Sequence, residues 1–213
     1  TLASVTVDWL QAYSRGLNQM AQSCSVALVG GDTTRGPLSL TMTVFGRVPS
    51  GKALTRSGAQ PGDLLCVGGE LGNAAGALPL VLGQRTAEAA ITEPLLAHYW
   101  SPQPQLGLGQ ALRGKATSAM DISDGLLADC GHIALASKVC LQVERDRLPL
   151  SQALRAFLGQ SDAQSAALSG GDDYVLAFTL PSVELPALLA NGWPIHVIGR
   201  VVIGQGVTLL DAD

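Results

Sequence analysis

The chain has 213 residues, of which 47% are hydrophobic and 14% are charged, and its formal net charge at pH 7 is −4. This composition excludes a disordered chain and fits a globular protein with one large core or two modest ones. The acidic balance and the absence of a lysine or arginine run argue against a nucleic-acid partner, and no apolar stretch approaches the ~20 residues of a membrane span.

The first ten residues, TLASVTVDWL, do not show the basic region and apolar run of a secretion signal, so we expect a cytoplasmic protein. The cysteines are scattered and form no C-x-x-C motif, which predicts buried, reduced thiols rather than disulfides or a metal site: Cys24, Cys66, Cys130 and Cys140. The histidines are equally isolated, and each is expected to be a surface or hydrogen-bonded residue: His98, His132 and His196.

The predicted elements begin with an amphipathic helix from Thr6 to about Ser23, in which apolar residues recur at helical spacing. The segment SVALV, 25–29, then predicts a short buried strand. After a glycine-rich loop, LSLTMTVFGRV, 38–48, alternates apolar and polar residues as a strand with one buried face does. The first part of the chain is therefore predicted as a helix followed by two strands.

The turn cluster SGAQPGD at 57–63 indicates a domain boundary, which we place between residues 1–55 and 56–213. The second part mixes helical and strand patterns without a strict β-α-β repeat, which predicts an α+β fold with mixed sheets flanked by helices. The helical patterns fall at about 73–83, 86–99, 104–113, 124–137 and 183–190, and the strand patterns in LLCVGG, TSAMDIS, VLAFTL and IHVIGRVV.

The loop GGDTTRG, 30–36, combines a bare backbone with a carboxylate. Gly30 and Gly31 permit a positive φ and a close approach by another molecule, and Asp32 offers a hard oxygen ligand at a strand end. The loop is neither a P-loop nor a G-x-G-x-x-G motif. It suits a metal ion together with a phosphate, and a tight turn held by Asx hydrogen bonding is the alternative.

A second acidic loop is MDISDG, 120–125. If Asp121 ends a strand and Asp124 begins the next helix, their carboxylates can converge at one sheet edge with Ser123 between them. Two adjacent carboxylates raise each other's pKa unless a cation neutralises them, which a divalent ion would do. The alternative is a helix cap in which Ser123 or Asp124 accepts hydrogen bonds from first-turn amides.

The third acidic loop, SGGDDY at 169–174, again places glycines beside carboxylates just before an apolar strand, and a plain turn with a charged rim is again possible. The joint pattern is more informative than any one loop. Three Gly/Asp loops at strand ends, without a Ser/His or Cys/His arrangement, favour Mg²⁺-dependent phosphate chemistry.

Four segments, in this order, resemble the signature motifs of the thiamine-monophosphate kinase family: LVGGDTTRGPL, ALTRSGAQPGD, SAMDISDGLLADCGHIA and LSGGDDYVLAF. The similarity extends from Thr1 to about Arg200. The same superfamily includes aminoimidazole ribonucleotide synthetase and selenophosphate synthetase, which share the acidic ATP-binding architecture. The residues of GGDTTRG and DISDG are most similar to the corresponding motifs of the thiamine enzymes.

The resemblance implies a homodimeric enzyme that phosphorylates thiamine monophosphate to thiamine diphosphate with ATP and Mg²⁺, by direct transfer. Residues 1–55 would be the remainder of a dimer-forming ATP-binding domain, and 56–213 a second α/β domain. By matching position, the implied contacts are Gly31, Asp32, Arg56 and Ser123 for ATP, Asp32, Asp121 and Asp124 for Mg²⁺, and Asp172 for the substrate. Another ATP-dependent synthetase of the superfamily and a non-catalytic nucleotide- or metal-binding module are the alternatives.

The sequence departs from the family pattern at three points. Asp172 stands where the family has a glutamate in Ser-Gly-Gly-Glu-Asp-Tyr, and its side chain is one methylene shorter. The family's N-terminal segment with further aspartate motifs and its C-terminal aromatic residue that stacks on thiamine have no counterpart in the printed sequence. We therefore expect the chain to be the middle and C-terminal part of such an enzyme.

Overall fold

The computed structural model describes residues 5–211, which form two compact units. The first ends at Val48 and the second begins at Pro49. The assignment of residues 1–55 to the remainder of an ATP-binding domain stays a prediction.

The first unit contains one helix, α1 (Val7–Ser23), as the apolar spacing predicts. The hydroxyl of Thr6 caps it by accepting a hydrogen bond from the amide of Trp9 at 3.2 Å. Asp8 lies in the first turn, where its charge complements the helix dipole. The rings of Trp9 and Tyr13 stack one turn apart, with centroids 5.4 Å from each other.

The two strands predicted at 25–29 and 38–48 are wrong for the single chain, because neither segment forms a β-ladder. A strand exists only through hydrogen bonds to a neighbour, and the alternating apolar side chains of 38–48 face solvent instead of a core.

The second unit is built on one six-stranded sheet in the order β2-β4-β1-β5-β3-β6. Its strands are β1 (Leu64–Val67), β2 (Ser118–Asp121), β3 (Cys140–Glu144), β4 (Leu176–Leu180), β5 (His196–Val202) and β6 (Gly206–Leu210). All neighbours are antiparallel except β3 and β6, which are parallel, so the sheet is mixed. The predicted α+β fold is confirmed.

Helices cover both faces of this sheet. They are α2 (Asn73–Val81), α3 (Ala89–Trp100), α4 (Leu106–Leu112), α5 (Leu126–Ser137), α6 (Gln152–Leu158), α7 (Gln160–Ser169) and α8 (Leu185–Ala190), with 3₁₀ turns at Arg145–Arg147 and Ser182–Glu184. The sequence patterns predicted five of them and missed α6 and α7, together with strands β3 and β6.

Strand β1 is apolar on both sides because it separates two cores. Leu65 and Val67 join the larger core, which is filled from α2, α3, α5, α6 and α7. Cys66 points to the opposite face and packs with residues of α4 and α8. Successive side chains of a strand alternate between faces, so a continuous apolar run such as LLCV is typical of a strand buried on both sides.

The strand directions bring three loops to one edge of the sheet. β1 and β2 are each antiparallel to β4, so β1 and β2 end at the edge where β4 begins. The loops that meet there are 68–72 after β1, 122–125 after β2 and 170–175 before β4. Two of the three acidic loops of the sequence therefore lie together.

Candidate functional site

Asp121 and Asp124 lie at the end of β2, on either side of a short buried turn. Asp121 is the last residue of the strand and is exposed, Ile122 is buried in the larger core, and Asp124 is exposed again. The alternation comes from the strand, because Ile122 must point inward for Asp121 to point out. The predicted positions of both carboxylates, at a strand end and before a helix, are confirmed.

A third carboxylate, Asp129 in the first turns of α5, holds this loop in place. Its Oδ2 accepts hydrogen bonds from the amides of Ser123, Asp124 and Gly125 at 2.9, 3.1 and 3.1 Å. Asp129 is buried, and three amide donors compensate its charge.

This arrangement decides the alternative interpretation of MDISDG. The N-cap of α5 is Gly125, and it makes no side-chain capping bond. Neither Ser123 nor Asp124 caps the helix, because the amides of this loop donate to Asp129. The Asp124 carboxylate is therefore not engaged at the helix start and is available to a ligand.

The SGGDDY loop packs directly on the loop after β2. The amide of Asp172 donates to the carbonyl of Ser123 at 3.0 Å, and the amide of Tyr174 donates to the carbonyl of Ile122 at 2.8 Å. Gly171 allows this approach, because a Cβ there would lie 2.5 Å from the Ser123 carbonyl oxygen. The loop is thus fixed on its neighbour and is not a free turn, and Ser123 and Asp172 are brought together.

The pKa of the Tyr174 hydroxyl is affected by the carboxylates of this edge. Its hydroxyl donates to Oδ1 of Asp172 at 2.9 Å, and this hydrogen bond is the main cause that raises the pKa of Tyr174 above its usual value. Partial burial and the negative charges of Asp172, Asp121 and Asp124 raise the pKa further. Three carboxylates of this edge therefore lie near one hydroxyl.

The backbone of the same loop is strained. Asp172 has a φ of 65° and Tyr174 a φ of 52°, in the left-handed region that side chains other than glycine rarely adopt. Strain of this kind costs on the order of 1–3 kcal/mol for each residue and persists only where the surrounding structure enforces it. Such outliers concentrate at ligand sites, which supports a functional interpretation of this loop.

Between these two residues, Asp173 points inward. Its Oδ2 accepts a hydrogen bond from the Gly72 amide at 2.6 Å, which ties the loop to the start of α2. Its Oδ1 lies 3.6 Å from Nε2 of His98 on α3. The carboxylate of Asp173 raises the pKa of His98 above the usual 6.5 through direct interaction and charge, while partial burial opposes the rise.

The exposed carboxylates of this edge are oxygen donors of the kind that a divalent cation takes. Asp121 and Asp124 form no ion pair with any residue between 5 and 211. Mg²⁺ prefers hard oxygen ligands and is commonly held by one or two carboxylates, with waters and substrate phosphates filling the other positions. Over the same range no group of three or more His, Cys, Asp or Glu side chains could hold a metal alone.

The GGDTTRG loop lies in the first unit. Gly30 and Gly31 are exposed, neither has a positive φ, and a Cβ on either would meet no atom of the chain within 4 Å. The conformational argument for these glycines is therefore wrong, and only a close approach by another molecule would still require them. The Oδ1 of Asp32 accepts a bond from the Thr33 amide at 2.8 Å, a local contact that a tight turn also makes.

Arg56 lies apart from Ser123. Its carbonyl accepts a hydrogen bond from the Ser137 hydroxyl at 3.1 Å, at the last residue of α5. Ser123 precedes the start of the same 12-residue helix, which is about 18 Å long at 1.5 Å per residue. The Arg56 backbone is therefore at the far end of α5 from the acidic edge, and its contact with the nucleotide stays a prediction.

Sequence reasoning missed four residues of this edge: Asp129, Asp173, Tyr174 and His98. Asp173 stands beside the predicted site residue Asp172, and Asp129 lies five positions after Asp124, but the inward direction of both depends on the fold. His98 was predicted only as surface or hydrogen-bonded, and it is partly buried beside a carboxylate. All four cysteines are free thiols in the structure, and the predicted burial holds for Cys66, Cys130 and Cys140 but not for Cys24, which is only partly buried.

Comparison with known proteins first defines the class. Residues 1–48 match the family of AIR synthase related proteins, N-terminal domain. The crystal structure of thiamine-monophosphate kinase from Stenotrophomonas maltophilia K279a is 44% identical to the chain, with a TM-score of 0.93. That match covers 98% of this chain and 69% of the other. The chain belongs to the thiamine-monophosphate kinase family.

Two further relatives extend this result. Thiamine-monophosphate kinase of Escherichia coli (strain K12) is 43% identical over 189 residues, which cover 88% of this chain. The structure of AaThiL complexed with AMPPCP and TMP is 25% identical with a TM-score of 0.83, over 98% of this chain and 66% of that one. The match spans 58% of the length of the Escherichia coli relative.

Proposed function

We propose that the protein containing this chain is a kinase that phosphorylates thiamine monophosphate with ATP. The γ-phosphoryl group passes to a phosphate oxygen of thiamine monophosphate, the bond to the leaving ADP breaks, and thiamine diphosphate forms. The observation that carries the proposal is family membership at 44% identity over 98% of the chain. The relative AaThiL, complexed with AMPPCP and TMP, supports the same pair of substrates, because AMPPCP is an ATP analogue.

In this proposal the acidic edge acts on the phosphates through Mg²⁺. Asp121 and Asp124 would hold Mg²⁺ at this edge, and the family assignment makes Asp32 a metal ligand as well. When bound, Mg²⁺ neutralises the charge of the transferring phosphoryl group. The chain's carboxylates alone would repel ATP, so the acidic edge of Asp121, Asp124 and Asp172 favours this use of a cation.

The nucleotide and acceptor contacts follow the family assignment. We place Gly31, Asp32, Arg56 and Ser123 at ATP, and Asp172 at thiamine monophosphate. Catalysis then consists of alignment and charge stabilisation without a covalent nucleophile on the protein. Support for Asp172 comes from its strained backbone and its hydrogen bond with Tyr174, which fix the carboxylate at the edge.

The proposed enzyme is a homodimer. Large apolar side chains are exposed along the segment that reads as strands: Val26, Leu28, Val29, Leu38, Leu40, Met42, Val44, Phe45 and Val48. Exposed apolar groups of this kind mark association surfaces. A segment with the sequence pattern of a strand can also form a β-ladder with a strand of another chain. We propose a second copy as the partner that supplies them.

No helix within residues 5–211 is long and apolar enough to cross a membrane. The proposed reaction consumes ATP, which cells keep in the cytoplasm, and we place the enzyme there.

The proposal is tested by ADP formation with the natural protein, Mg²⁺, ATP and thiamine monophosphate. We expect turnover that requires the acceptor and is abolished by a chelator. Turnover with a different acceptor and none with thiamine monophosphate would indicate another synthetase of the superfamily. Nucleotide binding without turnover would indicate a binding module, and either result would overturn the proposal.

A further inference from the structure

Asp173 is a fully buried carboxylate at the acidic edge. Its side chain is 0% exposed, and it is the residue between Asp172 and Tyr174. One of its oxygens is satisfied by the Gly72 amide at 2.6 Å. The other oxygen, Oδ1, has no hydrogen-bond partner within the described part of the chain. A buried carboxylate in this state needs a compensating positive charge.

His98 is the group placed to supply that charge. Its Nε2 lies 3.6 Å from Oδ1 of Asp173, and it is likewise buried without a hydrogen-bond partner among residues 5–211. This separation is too long for a hydrogen bond but within the range of an ion pair when the imidazole is protonated. The direct interaction with Asp173 raises the pKa of His98, which favours the imidazolium that the carboxylate requires.

The other charges around His98 do not supply a competing partner. Glu70 adds a negative charge that also raises the pKa of His98. Of the two helices packed on α3, α2 contains no charged residue, and α6 contributes Arg155, whose guanidinium donates to the carbonyl of Leu150. On α3 itself, Glu93 is exposed. The main charged partner of His98 in this region is therefore Asp173.

The pair connects three elements. Asp173 joins the loop before β4 to the start of α2 through Gly72, and His98 adds α3. Gly72 is itself fixed, because a Cβ there would lie 2.7 Å from the Ala167 amide nitrogen. Two strained residues flank Asp173, and such a backbone needs surroundings that hold it.

We propose that His98 is a positioning residue: as an imidazolium it holds Asp173, and through Asp173 it fixes the turn that presents Asp172 and Tyr174 to the acceptor. This rests on the proposed function in that Asp172 is placed at thiamine monophosphate. His98 touches neither substrate, and its effect falls on the binding of the acceptor more than on the binding of ATP.

The test compares His98→Gln with His132→Gln, a matched change at an exposed histidine of α5. We expect His98→Gln to raise KM for thiamine monophosphate roughly tenfold or more, the size typical of losing a group that orients a ligand, with a smaller change in KM for ATP. His132→Gln keeps both KM values of the parent. Equal KM values in all three proteins would overturn the proposal.

The pH dependence provides a second measurement. Because the pKa of His98 is raised in the folded protein, the ion pair is complete at pH values below the usual 6.5 and is lost as pH rises through the raised pKa. KM for thiamine monophosphate should therefore rise with pH more steeply in the parent than in His98→Gln, where only the substrate phosphates titrate over that interval. The same pH profile in both proteins would contradict the assignment.

A measurement independent of turnover separates this proposal from the proposed function. The Gly72 amide resonance should shift in His98→Gln and stay in place in His132→Gln, because its acceptor is the carboxylate that His98 holds. If the parent forms no ADP, the proposed function fails while this resonance still tests the pair. If His98→Gln does not fold, the double variant with Asp173→Asn, which leaves no unpaired charge at this position, should recover stability; failure to recover it would overturn the pairing.

Discussion

Four aspartates near the acidic edge show how the same side chain takes different roles. Asp129 is buried and accepts three amide hydrogen bonds, and Asp173 is buried beside a histidine. Asp121 and Asp124 are exposed and form no ion pair within residues 5–211. The two buried aspartates fix the loops, and the two exposed aspartates remain available to bind a cation.

We predict that Asp121→Asn and Asp124→Asn each lower kcat at least tenfold, because each removes a charge from a proposed Mg²⁺ ligand with almost no change in volume. The melting temperature should stay close to that of the parent, since both side chains are exposed. Steady-state ADP formation over a Mg²⁺ series is the measurement, and higher Mg²⁺ should rescue part of the loss.

Asp162→Asn is the matched control for these two variants. Asp162 is an exposed aspartate in the first turn of α7, at the end of that helix remote from the SGGDDY loop. Its substitution should leave kcat unchanged. Normal turnover of Asp121→Asn and Asp124→Asn at limiting Mg²⁺ would remove these residues from the metal site.

We predict that Gly31→Val weakens ATP binding more than Asp32→Ala does. A side chain at Gly31 meets no atom of the chain within 4 Å and requires no positive φ, so the variant should fold. Its branched side chain would instead occupy the space of a nucleotide that lies against the backbone. Asp32 is one of several proposed ligands, and its loss should be partial.

Calorimetric titration with ATP and Mg²⁺ measures both variants, after circular dichroism has shown that each is folded. Parental affinity in folded Gly31→Val would mean that GGDTTRG is an ordinary turn.

Among the secondary-structure elements, strand β5 has no space for a side chain at Gly199. It lies between β1 and β3, and its pairing with β1 shifts register between Leu65 and Cys66. Gly199 pairs with Leu65 on one side and Val143 on the other. A Cβ on Gly199 would overlap the carbonyl of Gln142, so the absence of a side chain permits the close approach of β3 at the irregularity.

We predict that Gly199→Ala lowers the free energy of unfolding by about 1–3 kcal/mol, the range for overpacking a filled site. Gly131→Ala, in the interior of α5, is the control: a Cβ there meets nothing within 4 Å, and the change should raise stability by about 0.5–1 kcal/mol. Urea denaturation gives both values. Equal stability of the two variants would show that β3 moves to accommodate the methyl group.

For the whole molecule, the main observation is that the second unit has an internal core while much of the first unit's apolar surface is exposed. The sheet of the second unit is covered on both faces. In the first unit, Phe45 is 85% exposed and Val29 is 88% exposed. Burial of such groups stabilises a protein by roughly 25 cal/mol per Å², which favours association of this surface.

We predict that Phe45→Lys weakens homodimer formation, because a lysine at a buried contact would lose hydration. Leu135→Lys, at a leucine of α5 that is 79% exposed, should leave association unchanged. Sedimentation equilibrium over a concentration series measures the dissociation constant, which should rise at least tenfold for Phe45→Lys alone. A monomeric parent protein would contradict the proposed homodimer.

Much of the second unit could be predicted from sequence because its signals are local. Apolar spacing predicted α2 to α5 and β1, β2, β4 and β5. Residues 140–144 and 206–210 were not predicted as strands; they form β3 and β6 because β3 pairs with β5, and β6 pairs in parallel with β3. At the site, Asp121 and Asp124 were predictable from the end of a strand pattern, whereas the inward direction of Asp129 and Asp173 was not.

The sequence by itself determined the helix and strand periods, the mixed α+β class, the acidic glycine loops and the resemblance to the kinase family. Each depends on residue type and spacing along the chain. Only the tertiary structure decided which carboxylate is buried and which is exposed, because burial and hydrogen-bond partners come from residues far apart. Gly72 and Asp173 are separated by 101 positions, and His98 meets Asp173 only once α3 packs beside the loop before β4. For the same reason the strand patterns of 25–48 remain without a ladder in the single chain, since a strand is defined by a neighbour that its own residues do not specify.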